Sequence, residues 1–183
     1  IGVNNGNMYS GYNESIVSGS SNVGGIIGQN GDKDQNIKGT VSNVVNATSV
    51  TGSSNYVGGL VGANTGSVTN GRNNGSITGN NFVGGLVGSN SAGSKLEDLV
   101  NAESADIVGE DYVGGIAGTN SGEITADDQS TLDNLGSITG QNYVGGVAGE
   151  NIGKIEYIET NISLNVKNTN EVAQYFGGVA GVN

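Results

Sequence analysis

Short apolar runs recur along the chain and are separated by glycine, asparagine and serine. The clearest run has two glycines, two small apolar residues, a further glycine, a variable residue and an asparagine. It occurs six times, at residues 21–30, 55–64, 81–90, 111–120, 142–151 and 175–183. Self-similarity with a period of 20–50 residues is typical of solenoids, propellers and repeat arrays. The pattern therefore predicts a repeat architecture.

The asparagine that closes each run gives the phase of the repeat. These asparagines are separated by 26, 34, 26, 30, 31 and 32 residues, and they are Asn4, Asn30, Asn64, Asn90, Asn120, Asn151 and Asn183. We expect residues 1–183 to form one solenoid domain. Solenoids normally carry polar capping units at their ends. Neither end departs from the repeat, so we expect a piece of a longer chain or a subunit that stacks end to end.

Two weaker apolar runs lie between successive glycine-rich runs. One follows the asparagine, as in NTGSV (64–68) and NSGEI (120–124), and the other precedes the next copy, as in SITG (76–79 and 137–140). Short apolar runs between glycine and asparagine clusters indicate strands and turns. The sequence thus predicts an all-β, parallel β-helix with three short strands per coil and about six coils. At a spacing of about 4.8 Å, these would form a rod roughly 30 Å long.

Helix and disorder are the alternatives to this fold. The chain has 35 glycines, and each costs about 1 kcal/mol in a helix interior relative to alanine. Only Lys95–Val100 suggests a helical period. A chain with 34% apolar residues and much Gly, Ser and Asn also resembles a linker. A linker, however, has no reason to hold its apolar residues at fixed repeat positions.

Two sets of side chains are expected to stack from coil to coil. The aromatic position before the first valine is occupied by Asn22 in the first copy and by aromatic residues in the others, Tyr56, Phe82, Tyr112, Tyr143 and Tyr175. The second set is the closing asparagines, Asn30, Asn64, Asn90, Asn120 and Asn151. Strand spacing predicts an aromatic ladder and an amide ladder, both with a structural role.

Composition limits the possible partners. The net charge is −11, with net +1 in residues 1–96 and net −12 in residues 97–183. Acidic surface argues against binding to nucleic acid or anionic membranes, because phosphate contacts need Lys and Arg. No apolar stretch approaches the about 20 residues that span a bilayer. We therefore expect neither a nucleic-acid partner nor membrane insertion.

The segment YVGGLVGAN (56–64) and its siblings resemble the GLUG repeat of bacterial surface proteins, which include adhesins and regions of IgA-specific metallopeptidases. The resemblance is carried by the GG[LIV]xG core and the asparagine, and it covers the whole chain. It implies a right-handed parallel β-helix at the bacterial cell surface or outside the cell. Asn22 and Phe176 depart from the pattern. The peptidase motif HExxH does not carry over, because the chain has no histidine.

Catalytic and metal sites have little support in the sequence. The absence of His and Cys excludes Ser/His and Cys/His pairs, and Asp127, Asp128 and Asp133 are the densest carboxylate group. Calcium would need several oxygen ligands. The two candidate sets are Glu123 with Asp127, Asp128 and Asp133, and Glu97 with Asp98 and Glu103. Neither set has a known calcium-loop spacing, so we expect no cofactor, no metal and no enzyme activity.

One further pattern suggests ice binding, because flat solenoid faces carry hydroxyl arrays. A single interrupted column is present, consisting of Ser18, Thr51, Thr78, Val108 and Thr139. One interrupted column is weak evidence for that function.

We therefore expect a rigid, non-catalytic stalk segment of an adhesin-like protein, with partners among host or neighbouring cell-surface proteins or glycans. The candidate contact regions are the variable inserts Gly31–Val44 and Ala92–Asp106. An alternative is head-to-tail self-association into an extracellular filament, because uncapped strand edges template pairing. A carbohydrate-active β-helix enzyme is a further alternative.

Overall fold

The chain winds into a parallel β-solenoid, which confirms the predicted fold class. This computed structural model describes residues 1–126, 133–157 and 175–183, together with the backbone of 159–160 and 164–166. The described residues complete about five turns, whereas the sequence predicted about six coils over the whole chain. Residues 95–100 belong to the strand Lys95–Asn101, so the weak helical period there was misleading.

Each coil contributes strands to four sheets, not three. The difference arises in the glycine-rich run, which the sequence analysis treated as one strand. In the second coil the chain bends at Gly59 and Leu60, between the strands Asn55–Gly58 and Val61–Asn64. Two adjacent glycines allow this sharp bend, because a side chain there would collide with neighbouring backbone.

Two of the sheets are formed by the two halves of the glycine-rich run. Among the described residues, sheet D consists of Val23–Gly24, Asn55–Gly58, Asn81–Gly84, Asp111–Gly114, Asn142–Gly145 and Phe176–Gly177. Sheet A consists of Val3–Asn4, Ile27–Asn30, Val61–Asn64, Val87–Asn90, Ala117–Asn120, Ala148–Asn151 and Ala180–Val182. Equivalent residues pair directly, as Val61 does with Val87 and Asn64 with Asn90.

The other two sheets are formed by the runs between the glycine-rich copies. Sheet B consists of Asn7–Met8, Gly11–Asn13, Thr40–Asn46, Ser67–Asn73, Lys95–Asn101, Glu123–Thr125, Asp133–Asn134, Lys154–Ile155 and Glu159–Thr160. Sheet C consists of Val17–Gly19, Val50–Gly52, Ile77–Thr78, Ile107–Val108, Ile138–Gly140 and Leu164–Val166. The variable repeat length is accommodated between sheets A and B. Nine residues (31–39) link them in the first coil, and two (65–66) do so in the second.

The interior contains two separate apolar columns. Residues of sheets A and B and of the bend that leads into sheet A form the larger column, which includes Leu60, Val61 and Leu96. Residues of sheets C and D form the smaller one, which includes Val57 and Ile77. Successive coils contribute Val, Ile, Leu and Ala to the larger column and Val and Ile to the smaller one. Burial of these side chains supplies the hydrophobic stabilisation of the solenoid.

Glycines hold sheets D and A in direct backbone contact. A Cβ atom on Gly88 of sheet A would lie 2.6 Å from the carbonyl carbon of Tyr56 and the nitrogen of Val57 in sheet D. A Cβ atom on Gly58 of sheet D would lie 2.7 Å from the carbonyl oxygen of Leu86. No side chain fits between the two backbones at these positions, and the same holds at Gly84 and Gly118 in the neighbouring coils.

Replacing Gly88 by alanine should therefore destabilise the protein strongly. The new methyl group has only backbone around it, which cannot move aside as a flexible side chain would, and overpacking of this kind costs about 1–3 kcal/mol or more. The matched control is Gly6→Ala, where a Cβ atom has nothing within 4 Å. Chemical denaturation of both variants measures the difference. Equal midpoints for Gly88→Ala and Gly6→Ala would contradict the backbone contact.

Candidate functional site

The closing asparagines form a continuous ladder at the corner between sheets A and B. Each Nδ2 donates to the Oδ1 of the equivalent asparagine in the next coil, over 2.6–2.9 Å. The ladder consists of Asn4, Asn30, Asn64, Asn90, Asn120, Asn151 and Asn183. The Asn64 side chain also stabilises the turn that follows it, since its Oδ1 accepts from the Gly66 nitrogen and its Nδ2 donates to the Gly66 oxygen.

A second asparagine ladder lies at the corner between sheets B and C, and the sequence analysis missed it. Its Nδ2-to-Oδ1 bonds are 2.8–2.9 Å long, and its members are Asn13, Asn46, Asn73, Asn101 and Asn134. Asn46, Asn73, Asn101 and Asn134 are fully buried. The second ladder faces the glycine bend, where a Cβ atom on Gly59 would meet the Asn73 amide at 2.4 Å. An alignment of the repeats on the apolar runs of sheet B would have revealed it.

The aromatic residues form a stack on the outside of sheet D. Neighbouring ring centroids are 4.6–5.1 Å apart, and the ring planes differ by 5–22°. The rings belong to Tyr56, Phe82, Tyr112, Tyr143 and Tyr175. The structure thus brings together all ten ladder residues that the sequence analysis singled out, in two separate columns.

Positive φ angles place the aromatic rings outside. Tyr56, Phe82, Tyr112 and Tyr143 have φ of 62°, 55°, 55° and 53°. This left-handed conformation turns two successive residues, such as Asn55 and Tyr56, toward the surface before Val57 points inward. It costs a non-glycine residue about 1–2 kcal/mol. The sequence analysis did not foresee the conformation, because aromatic residues rarely adopt it.

Charged residues near the ring stack and on sheet B shift the pKa of their neighbours but contribute little to stability. Burial raises the pKa of Tyr112, and the nearby Tyr143, Glu150 and Asp111 raise it further. On sheet B, the hydrogen bond to Glu97 raises the pKa of Lys95. The ion pair between Lys95 and Glu97 is partly exposed, and pairs of this kind contribute only about 0–1 kcal/mol to the stability of the fold.

The two predicted contact regions are only partly loops. In the first, residues 40–44 lie in the strand Thr40–Asn46, and Val41 and Val44 are fully buried. In the second, residues 95–101 form the strand Lys95–Asn101. The loop parts of the two regions are therefore residues 31–39, 91–94 and 102–106. The first two loops lie close together, since the Lys38 ammonium donates to the Gly93 oxygen at 3.4 Å.

The acidic residues form no metal site in the part of the chain that the structure describes. Asp127 and Asp128 lie outside the described residues. Among the other candidates, Glu123 pairs with Lys154 of the next coil, and Glu97 pairs with Lys95 of the same strand. Glu103 lies in a loop, and Asp133 and Asp98 lie on sheet B. The described residues also include no helix long and apolar enough to cross a membrane.

The hydroxyl column considered for ice binding lies on sheet C. Its members occupy one register, and they are Ser18, Thr51, Thr78, Val108 and Thr139. Val108 interrupts the column.

No protein-family model matches the chain, and no curated protein matches it. A crystal structure of a protein described as a putative immunoglobulin A1 protease from Bacteroides ovatus is similar in fold, with a TM-score of 0.71 and 24% sequence identity. The similarity covers 100% of this chain and 62% of that protein. It shows that the solenoid fold is shared.

Removal of one ladder asparagine should cost more than a single hydrogen bond. Asn120→Ala leaves the Asn90 amide nitrogen with only its 3.3 Å bond to the Glu123 oxygen, and it removes the donor to the Asn151 Oδ1 and to the oxygens of Gly122 and Lys154. Each unsatisfied buried group costs about 1–3 kcal/mol, so we expect a loss of about 2–5 kcal/mol in the free energy of unfolding. The control is Asn81→Ala, whose amide donates to Asn55 near the surface. A loss at Asn120 no larger than that at Asn81 would disprove the ladder's role.

Because Tyr112 has a left-handed backbone, a glycine at this position should be more stable than an alanine, the reverse of the usual order in a strand. Both Tyr112→Ala and Tyr112→Gly lose the ring contacts, but glycine also removes the backbone strain. We expect Tyr112→Gly to be the more stable of the two by about 1 kcal/mol. Val108 is an ordinary strand position, so Val108→Ala should instead be more stable than Val108→Gly. Thermal denaturation of the four variants tests this, and the same order at both positions would contradict it.

Proposed function

We propose that this chain is a rigid, non-catalytic repeat segment of an adhesin-like protein at the bacterial cell surface or in the secreted fraction. The observation that carries the proposal is the asparagine ladder, which connects seven positions from Asn4 to Asn183 without a gap. An amide ladder of this length, buried at its five inner positions, makes the coils interdependent. The role of the segment in this proposal is to hold other regions of the protein at a distance from the cell surface.

The packing supports a mechanical role. Successive coils are held together by parallel strand pairing in four sheets and by the amide ladders, and the coils from Tyr56 onward are also joined by the ring stack. Bending the solenoid would lengthen many of these hydrogen bonds at once. Repeat proteins whose units contact only their neighbours form such quasi-one-dimensional rods.

The proposed location rests on the sequence pattern. The GG[LIV]xG core with its asparagine resembles the GLUG repeat of bacterial surface proteins. The absence of cysteine removes any dependence on thiol chemistry. In this proposal, the inserts 31–39 and 91–94 contact a neighbouring or host surface molecule, because they vary while the ladder positions stay constant.

A non-catalytic role is favoured by the residues available for chemistry. The chain has no His or Cys, which excludes the usual nucleophile–base pairs. Three of the described carboxylates are engaged in ion pairs, Glu97 with Lys95 and both Glu123 and Glu156 with Lys154. The structural neighbour shares the fold alone, and one fold hosts many unrelated functions.

Incubation with human IgA1 tests the non-catalytic part of the proposal. We expect the heavy chain to stay intact on a denaturing gel after prolonged incubation, because the chain has no histidine or cysteine for a nucleophile–base pair. A known IgA1-cleaving protease is the positive control. Cleavage that increases with the amount of this protein would refute the proposal.

The scaffold part is tested by small-angle scattering at several protein concentrations. A short rod whose dimensions do not depend on concentration supports a stalk segment. Rods that lengthen with concentration would favour the filament alternative, and an expanded coil would refute both.

A further inference from the structure

The ring stack begins at Tyr56 and does not extend into the preceding coil, which holds the first complete repeat (21–30). In that preceding coil, Asn22 occupies the position of the rings and has the same left-handed backbone, with φ of 52°. The Asn22 nitrogen donates to the Asn55 oxygen at 3.1 Å, and Val23 pairs with Val57. Asn22 therefore lies in register below Tyr56. Since its side chain is much smaller than a ring, the side of Tyr56 that faces this coil has no stacked ring among the described residues.

Tyr56 is held in a fixed orientation on its other side. Its centroid lies 5.1 Å from that of Phe82, with the ring planes 22° apart. Phe82 is in turn stacked on Tyr112 at 4.9 Å. A ligand that stacks on Tyr56 would therefore meet a ring that is already oriented, which lowers the entropic cost of binding.

The polar side chains around this face are neutral. The Asn55 Oδ1 accepts from Asn81 at 3.2 Å, and the structure shows no described partner for the Asn55 amide nitrogen. Ser20 and Ser21 are exposed on the coil below, and Asn22 is half-buried. Two acidic residues beside the ring stack, Asp111 and Glu150, lie in later coils near Tyr112.

We propose that the Tyr56 face, with Asn22, Asn55 and Ser21 around it, is a binding site for one pyranose ring of a glycan. The axial C–H groups of a pyranose carry partial positive charge and stack on the negative face of an aromatic ring. Its hydroxyl groups match the neutral amides and hydroxyls at the edge. The sugar occupies the place that a ring at position 22 would fill. A cationic ligand would instead favour the acidic end of the ladder.

This site deepens the proposed function, on which it rests, by naming a partner class for the surface protein. The two are tested separately. Failure of the sugar experiment leaves the rod shape and the lack of IgA1 cleavage unaffected, whereas failure of the scaffold proposal would appear in those measurements.

The test is saturation-transfer NMR with methyl β-D-galactopyranoside and methyl β-D-glucopyranoside as the probes. We expect saturation to reach the axial ring protons of at least one sugar, at the millimolar affinity usual for one ring. Asn22→Phe fills the site by extending the stack, and it should lower the affinity by about tenfold or more. Thermal denaturation of this variant should show a stability equal to or above that of the original chain.

The matched control is Asn70→Phe. Asn70 is exposed on sheet B and has φ of 51°, so the same change is made in the same backbone conformation away from the site. Sugar binding should persist in this control. The proposal is overturned if neither sugar binds, if binding survives Asn22→Phe, or if tetramethylammonium takes the Tyr56 face and the sugars do not.

Discussion

Amide side chains that hydrogen-bond to their own equivalents in the next coil set the register of this solenoid. Asparagine suits this role because one short group carries both a donor and an acceptor, so identical residues are complementary to each other. A carboxylate would place like charges about one strand spacing apart, and an apolar residue would leave the turn backbone unsatisfied. The Asn64 side chain shows both functions, since it bonds to Asn90 and to the Gly66 backbone. The remaining packing follows from this fixed register.

The second ladder explains why each glycine pair is needed. Asn73 and Asn101 are buried between the two apolar columns, directly opposite the bend from sheet D to sheet A. A side chain at Gly59 would displace the amide, and a side chain at Gly88 would separate the two backbones. The glycines are therefore required by contact rather than by flexibility. Sheets D and A lie so close that the interior is divided into two narrow columns, which accounts for the small apolar residues of the repeat.

The sequence was sufficient for the fold class, because the aromatic positions, the closing asparagines and the apolar positions each repeat residue types that can be aligned by eye. It was insufficient for the number of strands per coil, since a bend at Gly59 leaves no polar interruption in the apolar run. The positive φ of Tyr112 was equally hidden, because residue type argues against it. The second asparagine ladder was missed since its members follow weak apolar runs. In each case the decisive contact joins residues of different coils, which no single repeat displays.

The left-handed tyrosines show how cooperative stacking offsets a local cost. In one coil alone, glycine would suit the backbone of Tyr143 better than an aromatic residue. In the stack, Tyr143 packs on Tyr112 at 4.6 Å and on Tyr175 at 5.0 Å, so an interior ring has two partners. A ring at the end of the stack has one partner and carries the same backbone strain. Tyr56 is such a ring, and it retains an aromatic face that stacking within the chain does not use.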